Sequence, residues 1–269
     1  MKFGASAFNL DAYKILKSHG YDYVELPFFR INALTEEEFE QLKSDLTLVG
    51  FKAEVCNGFF PGDFVLYSYN HETGKEDAEG FKAIEQNVIE YVTRGYERVI
   101  QLGCDTVVIG SGGARKIPDD MLPEVAVKQF SRVLELCGEL GIKYGISVTV
   151  EPLNPKEVNF INTLAESLDI IEKLNHPNVK AMVDFYHEGL QVDPTTSLER
   201  AGKKLIHAHI ARVEGRTSCN LDDVEYFAPV FAKLKELGYD YRVSFEGRCI
   251  GEYSDAMGET KKFFDKVTK

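Results

Sequence analysis

The feature that most constrains the fold is an eightfold alternation of short β-type runs with amphipathic helical patterns along the 269 residues. The β-type runs are rich in β-branched and aromatic residues, whereas the helical patterns repeat apolar residues three and four positions apart. Strands that alternate with helices in this way form a parallel sheet covered by helices. The predicted strands are MKFGASA (1–7), YDYVELPF (21–28), FKAEVC (51–56), DTVVIG (105–110), KYGISVTVE (143–151), NVKAMVD (178–184), KLIHAHI (204–210) and YRVSFE (241–246).

Two observations favour a closed (β/α)8 TIM barrel, an α/β fold, over an open doubly wound sheet. Eight β-then-α units in a chain of this length match the usual size of a barrel. The first predicted turn, AFNLDAY at residues 7–13, lacks the GxGxxG fingerprint of dinucleotide-binding sheets. No linker or low-complexity stretch divides the chain, so we expect one domain over residues 1–269.

Local signals predict where several helices begin and end. Thr35 followed by Glu38 fits a capping box at a helix start. A helix that begins at Pro123 is predicted to end at Gly141. The stretch 57–79 is too long for an ordinary strand-to-helix connection, so we expect either a wall or lid at the barrel mouth or an insertion without a role.

Composition narrows the class of partner. With 31 Lys plus Arg against 43 Asp plus Glu, the formal net charge is −12, whereas nucleic-acid binding needs clustered basic residues. No apolar run approaches the ~20 residues that cross a bilayer, and no apolar signal segment is visible near the N-terminus. Five widely spaced cysteines without a CxxC pair disfavour a disulfide framework or a thiolate zinc site. We therefore expect a cytoplasmic protein that acts on a small molecule, and composition leaves a homo-oligomer open.

Acidic or histidine side chains lie at the ends of the last four predicted strands. They are Glu151 (SVTVE), Asp184 (AMVD), His209 (HAHI) and Glu246 (VSFE). The C-terminal ends of barrel strands meet at one face, where the active sites of barrel enzymes form. We therefore expect these four side chains to meet at the mouth of the barrel.

Side-chain alternation is consistent with one register for all four strand ends. If these four residues point into the barrel, the residue next to each of them along its strand faces the helices, because side-chain direction alternates along a strand. Those intervening residues are apolar, as a parallel sheet covered by helices requires. The residues two positions earlier would then form the layer beneath: Thr149, Met182, His207 and Ser244.

Three carboxylates that converge in one barrel mouth would repel one another and raise their pKa values. A divalent cation removes this conflict, and three oxygen ligands with one nitrogen suit Mn²⁺ or Mg²⁺, with Co²⁺ or Zn²⁺ as further candidates. Alternatively, each acid caps a helix or pairs with a basic residue of a neighbouring loop, but the shared register favours the ion. His207, one layer deeper, is interpreted as a hydrogen-bonded core residue.

Four segments carry a resemblance to a known family: EPLNPKEVNFINT (151–163), VDFYH (183–187), HAHIA with the later GR (207–216) and SFEG (244–247). They resemble the sugar isomerase/epimerase family of xylose isomerase-like TIM barrels. The similarity is greatest to its ketose 3-epimerase and sugar-phosphate isomerase/epimerase branch. It is strongest over residues 147–247 and weak before residue 100.

The resemblance implies roles for the residues that match the family's motifs. It implies that one divalent metal ion is bound by Glu151, Asp184, His209 and Glu246. It also implies that a ketose or sugar phosphate is contacted by Glu157, His187 and Arg216.

The chemistry expected of such a site is proton transfer next to a carbonyl group. A metal that chelates the carbonyl and the adjacent hydroxyl would stabilise an enediolate. Glu151 and Glu246 would flank the sugar, one as general base and the other returning the proton. Return to the opposite face gives an epimer and return to the adjacent carbon gives an isomer, and the sequence does not choose between them.

Three other functions are weighed against this one. A dehydratase that acts on a polyol-derived ketone, such as an inosose, would use the same site and lose hydroxide. A nuclease like the apurinic endonucleases that share the barrel would need more than six histidines and a basic face. A sugar-binding barrel without activity would have no use for both Glu151 and Glu246.

A glycine-rich segment, Gly110 to Gly113, follows the fourth predicted strand and precedes Arg115. Its main-chain N–H groups could bind a phosphate together with that arginine. The alternative is a flexible lip at the end of the strand.

Overall fold

The computed structural model describes residues 1–190, 195 and 197–269. Its strands pair in parallel with their sequence neighbours, and the first strand also pairs with the last, so the sheet closes into an eight-stranded barrel. The predicted TIM barrel is therefore confirmed. The strands are β1 Lys2–Ser6, β2 Tyr23–Pro27, β3 Val55–Asn57, β4 Thr106–Ile109, β5 Ser147–Val150, β6 Val179–Asp184, β7 Leu205–Ile210 and β8 Arg242–Phe245.

Helices follow the strands and cover the outside of the barrel. Among the described residues, none of these helices combines the length and apolarity that crossing a bilayer requires. Short 3₁₀ turns occupy Ile100–Leu102, Gly202–Lys204 and Leu221–Asp223. The α-helices are α1 Leu10–Ser18, α2 Phe28–Ala33, α3 Glu36–Val49, α4 Ala78–Val99, α5 Gly112–Arg115, α6 Pro123–Tyr144, α7 Leu164–Leu174, α8 Phe185–Gly189, α9 Leu198–Ala201, α10 Val224–Glu236 and α11 Tyr253–Val267.

The predicted capping box at the start of α3 is confirmed. The Thr35 hydroxyl accepts from the Glu38 N–H at 3.2 Å, and the Glu38 carboxylate accepts from the Thr35 N–H at 2.8 Å. The predicted end of α6 at Gly141 is wrong, because the helix continues to Tyr144 and is capped by Gly145, whose φ is 71°. Gly141 serves close packing instead, since a Cβ there would clash with the Ile146 carbonyl.

The third strand is shorter than the predicted run 51–56. The Phe51 N–H donates to the Leu46 carbonyl at 3.0 Å, and so closes the last turn of α3 instead of joining the sheet. The following stretch, 57–79, packs against the protein at its start, where Phe59 is buried and stacked on Phe28 of α2 at a centroid distance of 4.2 Å. The Phe59 carbonyl also accepts from the hydroxyl of Tyr91 on α4 at 2.7 Å. Much of the rest of the stretch is exposed.

The core has two layers separated by the barrel wall. The residues predicted to face the helices, such as Val148 and Val183, belong to the large apolar cluster between strands and helices. Met182 belongs to a separate small cluster inside the barrel, with Tyr23, Val55 and Val108. The predicted register of alternating inward and outward side chains is therefore confirmed.

The amino ends of the strands are tied together by ion pairs that we call the floor cluster: Lys2, Glu54, Asp105 and Arg242. Arg242 Nε lies 2.7 Å from Glu54 Oε2, and its Nη2 lies 2.6 Å from Asp105 Oδ2. Lys2 Nζ contacts the other Glu54 oxygen at 2.7 Å. Each acid of the floor cluster therefore has a basic partner, and the pairs link β8 and β1 to the starts of β3 and β4.

Candidate active site

The structure brings together the four polar residues at the ends of strands five to eight. Glu151, Asp184, His209 and Glu246, here called the mouth cluster, each offer one ligand atom, and these atoms lie within 4.8 Å of one another. Asp184 and His209 are almost completely buried, whereas the Glu246 side chain is 24% exposed. The cluster is thus sealed below and reachable from the mouth on the Glu246 side.

The imidazole of His209 lies at the centre of the mouth cluster. Its Nδ1 is 3.2 Å from Glu151 Oε1, 3.2 Å from Glu246 Oε2 and 4.0 Å from Asp184 Oδ2. One ring nitrogen therefore faces three carboxylates. Such an arrangement of three oxygen donors and one nitrogen fits a single divalent cation.

Local structure orients each carboxylate. Asp184 ends β6 and caps α8, with Oδ1 accepting from the Tyr186 N–H at 2.8 Å, so its other oxygen is left for the cluster. Glu246 follows β8, and its Oε1 accepts from Asn57 Nδ2 at 2.6 Å. Asn57 at the end of β3 is a site residue that the sequence analysis did not identify.

Glycine and arginine residues after β4 hold Glu151 in place. A Cβ at Gly110 would clash with the Glu151 carboxylate, so the glycine leaves room for it. Arg115 is completely buried and donates to the main-chain carbonyls of Glu151 at 2.7 Å and Ile161 at 3.4 Å. Burial lowers the pKa of Arg115 to about 10. The hypothesis that Arg115 binds a phosphate is therefore wrong, because its guanidinium faces main-chain carbonyls inside the protein.

Arg216 supplies a positive charge at the edge of the mouth cluster. Its Nη2 lies 2.6 Å from Glu246 Oε2 and 3.3 Å from Asp184 Oδ2. Its guanidinium carbon lies 5.0 Å from the centre of the Tyr186 ring, and its φ is 51°. The positively charged guanidinium of Arg216 thus contacts two of the three carboxylates of the mouth cluster.

The pKa directions reflect an excess of negative charge. Burial raises the pKa of Asp184, because its charged form loses water. Burial lowers the pKa of His209, but Glu25 and Glu246 outweigh that effect and raise it well above the ordinary value. Burial likewise raises the pKa of Glu246, yet His209 and Arg216 hold it at about 2. His209 and Arg216 therefore neutralise part of the negative charge of the carboxylates, and a bound metal ion would neutralise more of it.

The other two predicted substrate residues, His187 and Glu157, are linked through Asn154. His187 is completely buried, with Nδ1 2.8 Å from Asn154 Nδ2 and Nε2 3.5 Å from Asp184 Oδ2. Glu157 Oε1 accepts from Asn154 Nδ2 at 2.9 Å, and its side chain is 40% exposed. His187 thus lies behind a mouth carboxylate, whereas Glu157 lies closer to solvent, and their substrate roles stay predictions.

Glu25 on β2 is the most important residue that the sequence analysis missed. It is completely buried, and its Oε1 lies 2.8 Å from His209 Nε2. Its Oε2 lies 3.1 Å from His207 Nε2. Burial raises its pKa, but His209 and His207 outweigh this and hold the pKa far below the ordinary range. The available signal was an acidic residue on the inward face of the otherwise apolar run YVELP.

A cavity of about 370 Å³ opens beside Glu246. Its lining includes Phe8, Phe29, Arg30, Asn57 and Glu246. The Arg30 guanidinium carbon lies 5.6 Å and 5.9 Å from the centres of the Phe8 and Phe29 rings. Such a volume lies in the range of small-molecule sites.

Comparisons with known proteins agree with the barrel fold. A family model described as a xylose isomerase-like TIM barrel matches residues 13–267. The 3-dehydro-D-guloside 4-epimerase of Escherichia coli (strain K12) is 24% identical over 253 residues, which cover 90% of this chain and 88% of that protein. The inosose isomerase of Bacillus velezensis is 24% identical over 267 residues, which cover 95% and 89%.

Other matches are shorter or concern the fold. Alignments with proteins of Xenopus laevis and Methanocaldococcus jannaschii span 61% and 65% of those relatives, which is less than two thirds of their length. The solved structure of an L-ribulose 3-epimerase superposes with a TM-score of 0.80 at 17% identity, covering 99% of this chain and 94% of that one. At that identity the likeness establishes the fold.

Proposed function

The chain belongs to the xylose isomerase-like TIM barrel family, and we propose that it is a divalent-metal-dependent sugar isomerase or epimerase. The observation that carries this proposal is the mouth cluster, in which Glu151 and Glu246 each lie 3.2 Å from His209 Nδ1. Two carboxylates beside one metal site are the groups that proton removal and proton return require. The named relatives are epimerases and isomerases, which supports the same reaction class.

The four residues of the mouth cluster would hold the ion. When bound, a divalent cation would polarise the carbonyl of the substrate and stabilise the negative charge that develops on its oxygens. The carboxylate-rich donor set supports Mn²⁺ or Mg²⁺ over softer metals.

Proton transfer is assigned to the two glutamates. Glu151 follows β5 and Glu246 follows β8, so the two carboxylates approach the cluster from different sides of the barrel. One would remove the proton next to the carbonyl, and the other would return it to the opposite face or to the neighbouring carbon. Asn57 donates to Oε1 of Glu246 and would thereby fix the orientation of the carboxylate that moves the proton.

The oxygens and hydroxyl groups of the substrate would be bound by polar side chains around the cluster. Arg216 would donate to a hydroxyl or carbonyl oxygen, and Glu157 would accept from a hydroxyl group. His187 would contact the substrate beside Asp184, whose Oδ2 lies 3.5 Å from His187 Nε2. The cavity beside Glu246 would take the rest of a ketose, and Arg30 at its wall favours a phosphate or carboxylate at the far end.

Two alternatives are less well supported. A dehydratase acting on a polyol-derived ketone would use the same residues, but the named relatives are isomerases and epimerases. A nuclease is disfavoured by the net charge of −12 and the acidic mouth. We propose that residues 1–269 act as one domain in the cytoplasm, whether as a monomer or a homo-oligomer.

Solvent proton exchange tests the proposal directly. The metal-free protein is reconstituted with Mn²⁺ or Mg²⁺ and incubated in D₂O with a panel of ketoses, ketose phosphates and inososes. We expect deuterium at the carbon next to the carbonyl of at least one ketose, with an epimer or isomer as product. Water loss from an inosose without exchange into any ketose would instead identify a dehydratase.

A further inference from the structure

Two histidines on β7, one in the mouth cluster and one directly beneath it, are hydrogen-bonded to the same glutamate. His207 and His209 are two residues apart on β7, so both rings point into the barrel. Both are completely buried, and both present Nε2 to the carboxylate of Glu25 across the barrel. Glu25 is thus held at both oxygens and has little freedom to rotate.

The contact with Glu25 decides which nitrogen of His209 carries a proton. A neutral imidazole has one N–H and one lone pair, and an ionised carboxylate can only accept. Because Nε2 of His209 lies 2.8 Å from Glu25 Oε1, the proton of the neutral ring belongs on Nε2. The lone pair then lies on Nδ1, the nitrogen that faces Glu151, Asp184 and Glu246.

On these grounds, and resting on the proposed metal-dependent function, we infer that Glu25 is a positioning residue for the metal site. It holds His209 in the tautomer and ring orientation that a metal ion at the mouth cluster requires. His207 completes the arrangement, because its Nε2 fixes the second Glu25 oxygen at 3.1 Å. Carboxylates that accept from a metal-binding histidine commonly contribute 10- to 100-fold to metal affinity.

A different use of the same residues is a second ion bound by Glu25, His207 and His209, which also offer ligand atoms close to one another. One observation opposes it. A second ion would have to share the His209 ring with the first, leaving that ring no proton to donate to Glu25.

The test measures Mn²⁺ binding to the full chain by the electron paramagnetic resonance signal of free Mn²⁺. Glu25→Leu removes both acceptors at similar volume and is expected to weaken binding about 10- to 100-fold. Glu25→Gln keeps one acceptor oxygen, which can serve only one histidine, so a smaller loss is expected. Glu54→Leu and Glu54→Gln are matched controls in the floor cluster and should bind Mn²⁺ as the wild type does.

Nuclear magnetic resonance of ¹⁵N-histidine protein loaded with Mg²⁺ separates positioning from packing. We expect downfield, slowly exchanging Nε2–H signals of His207 and His209 in the wild type and in Glu54→Leu. Both signals should vanish or move upfield in Glu25→Leu. A purely structural glutamate would lower the melting temperature and leave the Mn²⁺ affinity of the folded protein unchanged.

Three results have distinct meanings. Mn²⁺ affinity of Glu25→Leu within twofold of the wild type overturns the inference. So does a stoichiometry of two Mn²⁺ per wild-type chain that drops to one in Glu25→Leu, since that identifies a second ion site. A wild-type chain that binds no divalent ion contradicts the proposed function itself, whereas binding without a Glu25 effect contradicts this inference alone.

Discussion

The two ends of the barrel carry charged clusters of opposite character. The floor cluster contains two basic and two acidic residues, and its ion pairs are 2.6 to 2.7 Å long. The mouth cluster contains three acids and one histidine, and Arg216 reaches it only from the side. Charge is therefore balanced at the floor and unbalanced at the mouth.

The two ends of the barrel do not differ much in the size of their cavities. A cavity of about 420 Å³ lies at the floor, lined in part by Lys2, Asp105 and Arg242, and one of about 370 Å³ opens beside Glu246. The difference lies in whether the charged groups satisfy one another. Groups that are fully paired stabilise the closed barrel, whereas a surplus of buried acids leaves binding capacity for a cation.

The sharpest test of this contrast replaces one acid at each end. Glu246→Gln should lower solvent proton exchange into the active ketose by at least 10²- to 10⁴-fold, the usual contribution of a general acid or base. Glu54→Gln makes the same chemical change at the floor and should leave exchange per folded molecule unchanged. Equal loss in both variants, measured by deuterium incorporation, would remove the distinction between the ends.

The floor predicts a large effect on stability and none on chemistry. Arg242→Met keeps the aliphatic stem but leaves Glu54 and Asp105 without their shared partner, so the free energy of unfolding should fall by about 2–4 kcal/mol. Urea denaturation measures this loss. Arg132→Met, whose arginine is 38% exposed, should lose at most about 1 kcal/mol. A proton-exchange defect in folded Arg242→Met would contradict a structural floor.

The mouth predicts stabilisation by metal. Mn²⁺ at about 100 times its Kd should raise the free energy of unfolding of the wild type by about 2.7 kcal/mol, because the ion binds the native state. Glu54→Gln should gain the same amount, whereas Glu246→Gln should gain less at the same Mn²⁺ concentration. The comparison uses urea denaturation with and without Mn²⁺, and an equal gain in Glu246→Gln would indicate an ion bound elsewhere.

The smallest effect concerns the distal end of the substrate. Arg30 lies at the wall of the cavity beside Glu246. It forms no ion pair with any residue in the part of the chain that the structure describes. Arg30→Gln should raise KM about two- to fivefold for D-fructose 6-phosphate or D-fructuronate, as expected for one exposed charge. KM for D-fructose and all kcat values should change little.

Arg94→Gln is the matched control, because this exposed arginine lies near Phe29 in a neighbouring cavity without Glu246. It should leave every KM unchanged. A rise in KM for D-fructose as large as that for the phosphate ester would show that Arg30 does not select an anionic group.

Local patterns in the sequence were sufficient for the barrel and for the mouth cluster. Alternating direction along a strand places Asp184 and Met182 on the same face, whatever the rest of the fold does. Capping follows the same logic, since Thr35 and Glu38 are only three residues apart. The length of β3 and the end of α6 were not predicted, because the local pattern allowed two outcomes at each. Phe51 bonds to the carbonyl of Leu46 in the preceding helix instead of joining the sheet. Of the two glycines near the end of α6, Gly145 and not Gly141 adopts the positive φ that ends the helix.

The sequence by itself thus determined the barrel, its register and four of the polar groups at its mouth, because each depends on residues a few positions apart. Only the tertiary structure decided the partners of those groups. Glu25 meets His209 across 184 positions of sequence, and Asn57 meets Glu246 across 189. Closing the sheet brings β2 and β3 opposite β7 and β8, and no local pattern records which inward side chains then touch.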